Sequence, residues 1–229
     1  MALHDRYRAS NLRAYDGALA ARYEDSLPVR VLRVWELDDF VIGELGSEIT
    51  SLSILDVGCA TGRLLARLAA AGAKRICGAD VAPAILELAR MRLRDAGADL
   101  RLADAEANLP WPDGAFDVVS LTGVFHHFTR PARALGEIRR VLRPGGRVLM
   151  ADACFFTPLR EVMNGCLLIR PRDGDFRFYR PGDASRILSR SGLQVNLVRR
   201  LNWWSYGAVG VRPLDSLLSL DAEAAGERS

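Results

Sequence analysis

Apolar residues recur at helical spacing at the start of the chain. Leu12, Tyr15, Leu19 and Tyr23 follow one another three or four residues apart, and a second stripe runs through Val31, Val34, Trp35, Val41, Ile42 and Leu45. Pro28 can open that second helix, because its missing N–H costs little in a first turn, and Gly46 can close it. From Ser51 the pattern changes to short apolar runs alternating with helical periods. It predicts strands at Ser53–Val57, Arg75–Ala79, Leu100–Leu102, Phe116–Leu121 and Arg147–Ala151. Helices are predicted between them at Arg63–Ala71, Pro83–Ala96 and Pro131–Leu142, the last broken by Pro144-Gly145-Gly146. Residues 153–180 show no clean period. A helix at Pro181–Arg190 and two closing strands, Leu193–Arg200 and Ser205–Val211, complete the pattern. Strand–helix alternation with short links predicts a parallel sheet covered by helices on both faces.

Composition narrows the class. The chain has 229 residues, with 49% hydrophobic and 26% charged, enough apolar material for a packed core and too much for a disordered chain. A net charge of +3 argues against the concentrated positive field of a nucleic-acid binder. No apolar run approaches the roughly 18 residues of a membrane span, and the first residues lack a signal-peptide core. The cysteines at 59, 77, 154 and 166 form no C-x-x-C pair and are expected to be reduced, as in the cytoplasm. Three histidines, two of them adjacent, argue against a structural zinc site, and no metal is expected.

The strongest chemical signal is Asp56-Val57-Gly58-Cys59-Ala60-Thr61-Gly62, a glycine-punctuated turn between a strand and a helix. Glycine admits positive φ and close ligand approach, and the helix N-terminus favours an anionic group. A dinucleotide fingerprint starting at Gly58 would need glycine at 60 and 63, where Ala60 and Arg63 stand. A phosphate loop would need a Gly-Lys pair, which the chain lacks. Asp80 ends the second strand, where a carboxylate can hold both ribose hydroxyls or cap the next helix. Asp104-Ala105 follows the third strand, either as a ligand contact or as a solvated acidic turn.

Taken with Leu109-Pro110-Trp111, His126-His127-Phe128 and Leu142-Arg143-Pro144-Gly145-Gly146, this turn resembles motif I of class I S-adenosylmethionine (SAM)-dependent methyltransferases. The order is similar to that of the ubiquinone and menaquinone biosynthesis subgroup (methyltransferase type 11), and the likeness covers about residues 50–152. It implies a Rossmann-like doubly wound α/β sheet of about seven strands, mostly parallel with an antiparallel last strand. It also implies three regions: a helical cover over 1–46, a SAM-binding domain over 47–212 with an acceptor-cover insertion at 153–180, and a tail at 213–229. The cofactor contacts it implies are Asp56, Gly58, Cys59, Ala60, Gly62, Asp80, Val81, Asp104, Ala105 and Thr122. Among these, Gly58 and its neighbours take the methionine end, Asp80 the ribose, and Asp104 with Ala105 the adenine. Asp56 has two open roles, supporting the loop or reaching the amino group through water.

A donor that is already activated requires positioning and exclusion of water more than a nucleophile. A base, where one is used, belongs beyond the ends of the fourth and fifth strands. His126, His127 and Asp152 stand there as catalytic candidates, with packing and hydrogen bonding as the competing roles of the histidines. Phe155, Phe156, Met163, Phe176, Phe178 and Tyr179 lie beside Arg160, Arg170, Arg172, Arg177 and Arg180 in the segment 153–180. Such a mixture suits an amphipathic anionic acceptor or a solvated loop. The expected activity is methyl transfer to O, N or C of a small molecule, by a monomer or homodimer, with no nucleic-acid substrate. A SAM-fold enzyme running a cyclisation, and a non-catalytic SAM-binding protein, are the alternatives.

Overall fold

The computed structural model describes residues 3–15, 20, 24–25, 34–169 and 175–214. Leu19, Tyr23, the expected helix start at Pro28, Val31, Arg170, Arg172 and residues 215–229 lie outside them. A seven-stranded sheet forms the centre, in the order β3-β2-β1-β4-β5-β7-β6. The strands are β1 Ser53–Val57, β2 Arg75–Asp80, β3 Asp99–Leu102, β4 Phe116–Thr122, β5 Leu142–Ala153, β6 Gln194–Arg200 and β7 Ser205–Val211. β1 pairs in parallel with β2 on one side and β4 on the other, while β7 runs antiparallel to both β5 and β6. The topology is the Rossmann-like one expected, with the last strand reversed.

Seven helices are described: α1 Leu3–Tyr15, α2 Trp35–Leu45, α3 Arg63–Ala70, α4 Pro83–Arg92, α5 Pro131–Val141, α6 Leu159–Ile169 and α7 Pro181–Arg190. Leu64, Leu65 and Leu68 give α3 its buried stripe, and Ala134, Leu135, Ile138 and Val141 do the same for α5. Two large apolar clusters result, one on each face of the sheet, and Ala20, Ala82 and Ile85 form a smaller third one. The central strands are buried on both sides, which is why Ile54-Leu55 and Val118-Val119 read as continuous apolar runs.

Three expectations change. α4 stops at Arg92, short of Ala96, and the chain turns through Leu93 to Gly97, whose φ is +64°. β5 begins at Leu142, before Pro144-Gly145-Gly146, and the pairing with β4 slips there, from Phe116↔Leu142 to Val118↔Arg147. Gly146 is required at the slip, because a Cβ would stand 2.8 Å from the Arg143 carbonyl and 3.1 Å from that of Asp117. The segment 153–180, aperiodic in sequence, contains α6. Val162, Cys166 and Leu168 on that helix are exposed, so its apolar residues mark no single face.

Within 1–46 the two helices do different things. α2 packs on the sheet, with Phe40 lying so close to Gly207 of β7 that a Cβ there would come within 2.6 Å of the ring. α1 contributes Tyr7, Arg8, Asn11 and Tyr15 to the wall of a cavity, to which α2 adds Asp38.

Candidate active site

β1 lies between β2 and β4, so the strand order reverses there and a crevice opens beyond the strand ends. The cavity sits in that crevice. Of the residues expected to meet a cofactor, Asp56, Gly58, Cys59, Ala60, Asp80, Val81, Asp104, Ala105 and Thr122 line it; Gly62 does not. Gly62 instead starts α3 with φ +74°, and a Cβ on it would meet Leu93 at 2.8 Å.

The turn after β1 is pinned from below. The N–H groups of Gly58 and Cys59 both donate to the Ala79 carbonyl, at 2.8 and 3.0 Å. Gly58 has φ +73°, and a Cβ there would lie 2.5 Å from Val124 at the exit of β4. Ala60 also takes positive φ, +46°, a conformation that costs a non-glycine residue about 1–2 kcal/mol. Asp80 helps hold it: its carboxylate accepts the Ala60 N–H at 3.0 Å and the Ala82 N–H at 3.0 Å. Each oxygen keeps a second lone pair. Burial raises the Asp80 carboxyl above the usual range, against the lowering by the N–H groups of Ala82, Ala60 and Val81.

Asp104 closes its own turn by accepting the Glu106 N–H at 2.8 Å, and its other oxygen lies 3.6 Å from Arg8 of α1. Asp56 is buried and accepts the Ser120 hydroxyl at 2.7 Å. Burial pushes its carboxyl up to about 7, with the Ser120 hydrogen bond pulling the other way.

At the β4–β5 end, His127 lines the cavity and packs edge-on against Tyr15, with ring centroids 5.9 Å apart. His126 and Asp152 are not among the lining residues. Asp152 is buried and its carboxylate is occupied: one oxygen accepts the His126 N–H at 2.8 Å, and the other meets His126 Nδ1 at 2.6 Å and the Ala153 N–H at 2.7 Å. Phe178 stacks on the His126 ring at 5.1 Å. Burial pulls the His126 pKa down, but Asp152 and Asp175 outweigh it and raise the ring to about 10. The segment after the undescribed 170–174 is strapped here, since the N–H groups of Phe176 and Arg177 both donate to the His126 carbonyl. Among the described residues, none of 153–180 lines the cavity. Of its arginines, Arg160 is buried against Thr157 and Glu161, and Arg180 reaches Glu161 at 2.9 Å.

Sequence reasoning missed several groups. Glu24 accepts from Arg92 and from the Thr61 hydroxyl, tying the N-terminal region to the glycine turn, and the Arg92 bond holds its carboxyl below the usual range. Arg63 grips the buried Asp38 with Nε at 2.7 Å and Nη2 at 3.0 Å. Glu106 accepts from the Thr129 hydroxyl and the Arg130 N–H and so fixes the loop after His127. These partners are separated by 23 or more residues, and no local pattern marks them.

Residues 55–150 match the family described as Methyltransferase domain. The chain is 41% identical over 112 residues to a demethylmenaquinone methyltransferase of Thermus thermophilus, covering 48% of this chain and 50% of that protein. It is 36% identical over 141 residues to a ubiquinone/menaquinone biosynthesis C-methyltransferase of Bordetella avium, covering 59% and 54%. The chain thus spans about half the length of the curated relatives it matches. A SAM-dependent methyltransferase structure from Aquifex aeolicus superposes with a TM-score of 0.61 at 20% identity, over 89% of this chain and 97% of that one. At that identity the match supports the fold alone.

Proposed function

We propose that this chain transfers a methyl group from SAM to a small-molecule acceptor. The observation that carries the reading is the cavity beyond β1–β4, lined by the glycine turn and by the separate carboxylates Asp80 and Asp104. The residues fit the cofactor. Asp80 has an acceptor lone pair on each oxygen for two ribose hydroxyls, and Asp104 with Ala105 offers an acceptor and an apolar wall for a base. Gly58 leaves room for backbone approach at the amino-acid end. When bound, SAM supplies an electrophilic methyl on a sulfonium.

The chain's own residues bind, orient and exclude water. Tyr7, Arg8, Asn11 and Tyr15 cover the cavity, and Arg8 sets a charge beside Asp104. His127 is the candidate facing the acceptor, because it lines the cavity. His126 and Asp152 act behind it as positioning residues, with Asp152 fixing the ring and backbone of His126. Asp56, tied to Ser120 under the loop, supports the turn. The acceptor is a small molecule, the setting cytoplasmic, and the unit a monomer or homodimer. Among the described residues no helix is long and apolar enough to cross a membrane.

The test is release of S-adenosylhomocysteine on mixing the full chain with SAM and candidate acceptors, quinone precursors first. Stoichiometric release with a methylated product supports transfer. SAM binding with acceptor turnover but no release would identify a cyclising enzyme instead.

A further inference from the structure

Beside the cavity wall formed by His127, an adjacent histidine pair and a distant aspartate converge. His126 Nε2 and His127 Nδ1 each lie 3.4 Å from the same oxygen, Oδ1 of Asp175. All three ligand atoms fall within 4.8 Å of one another. We propose that His126, His127 and Asp175 form a binding site for a divalent transition-metal ion of the zinc class, at the edge of the cavity.

The spacing is the first argument. At 3.4 Å the Asp175 oxygen makes a charged contact with His126 that is longer than the about 2.7–3.2 Å an N–H···O bond prefers. Metal–ligand bonds of roughly 2.0–2.2 Å in tetrahedral geometry place neighbouring ligand atoms about 3.4 Å apart. The second argument is the support behind His126. Asp152 meets His126 Nδ1 at 2.6 Å and so orients the ring with Nε2 toward Asp175, where a binding ion would displace the Nε2 proton. Metal-binding histidines are oriented by such a carboxylate on the far ring nitrogen, and Phe178 holds the ring from its face.

The donor set selects the ion. Two imidazoles and a carboxylate suit zinc, cobalt, nickel or ferrous iron, whereas magnesium and calcium prefer all-oxygen sets. Three protein ligands leave a fourth position open, as in sites that take water or a substrate atom. His127 also lines the cavity, so the ion stands beside the space in which an acceptor is held. An ion there ties Asp175, and with it the segment 175–178, to the exit of β4. The count of histidines and cysteines in the sequence could not reveal the site, because its third ligand is an aspartate far along the chain.

The experiment uses the full chain, stripped with a chelator and titrated with zinc(II) alone by calorimetry, with bound metal measured after desalting. One equivalent is expected. Asp175→Asn and His127→Gln should each abolish retention on desalting, and Asp152→Asn should weaken binding about 10–100-fold. Cobalt(II) should give the intense ligand-field absorption of a tetrahedral site, lost in Asp175→Asn. Cys166→Ser removes the one exposed thiol among the described residues and should leave binding unchanged. Retained binding of S-adenosylhomocysteine by Asp175→Asn certifies that the variant is folded. Failure of the parent chain to retain zinc, equal binding by Asp175→Asn, or loss of binding in Cys166→Ser would each overturn the site. None of these results depends on methyl transfer, whose own failure appears in the S-adenosylhomocysteine assay.

Discussion

The β1–β3 end of the cavity and the β4–β5 end hold their polar groups by different means. At the first, Asp80 and Asp104 are fixed by backbone N–H groups of Ala60, Ala82 and Glu106, which lie in the turns after β1, β2 and β3. At the second, side chains fix one another: Asp152 holds the His126 ring, Asp175 faces both imidazoles, and Phe178 stacks on His126. A backbone-held group keeps its position through most substitutions around it. A side-chain-held group can be redirected by one replacement, so the β4–β5 end is the one that can be rearranged without loss of the fold.

The sharpest break of this contrast is Gly58→Val. The new side chain would meet Val124 and carry a branched Cβ at φ +73°, so SAM binding should vanish in calorimetry even where the variant remains folded. Normal affinity would move the cofactor out of this cavity. If Asp80 holds both ribose hydroxyls, Asp80→Ala should weaken SAM by about 1–3 kcal/mol. An unchanged affinity in a folded variant would reduce Asp80 to a cap for α4 and the glycine turn.

Smaller effects are expected at the other end. If the acceptor is activated only by position, His127→Gln should lower kcat by less than about tenfold and leave SAM affinity intact. A loss of 10²–10⁴ would make His127 a general base.

The smallest effect is a change of slope. The folded-state pKa of Asp56 is raised to about 7, above its unfolded value, so the folded chain holds that proton more tightly. Its contribution to stability is present at low pH and is lost as pH rises from about 4 through about 7. Asp56→Asn should flatten that decline in thermal melts. Glu24, lowered by Arg92, has the opposite sign and contributes above the usual carboxylate range. An unaltered slope in Asp56→Asn would mean that Asp56 is ionised throughout.

The same contrast explains what could be read in the sequence. β1, the turn at Gly58, α3 and Asp80 are consecutive, so apolar runs and glycine spacing encode them together. Asp104 follows β3 directly and was legible for the same reason. His126, His127 and Asp152 stand out by their place after strands, but the bond between His126 and Asp152 and the approach of Asp175 do not. Asp175 lies in an aperiodic stretch, and Asp38, Glu24 and Glu106 meet Arg63, Arg92 and Arg130 only after the chain has folded. The helix α6 escaped notice because its exposed Val162 and Leu168 break the amphipathic stripe that marks α5 and α7. The extent of β5 was hidden by Pro144-Gly145-Gly146, which reads as an end but is a slip within a continuing strand.

The placement of β7 between β5 and β6 has a consequence for synthesis. β6 precedes β7 in the chain yet touches the sheet only through it. A nascent chain emerging from the ribosome can therefore order β1 to β5 while β6 has no neighbour to join. Until Ser205–Val211 has emerged, the hydrogen-bonding edge of β5 stays open, and Val195, Leu197 and Val198 remain without their strand partner. The order of synthesis thus leaves that edge open until β7, the last strand among the described residues, has emerged.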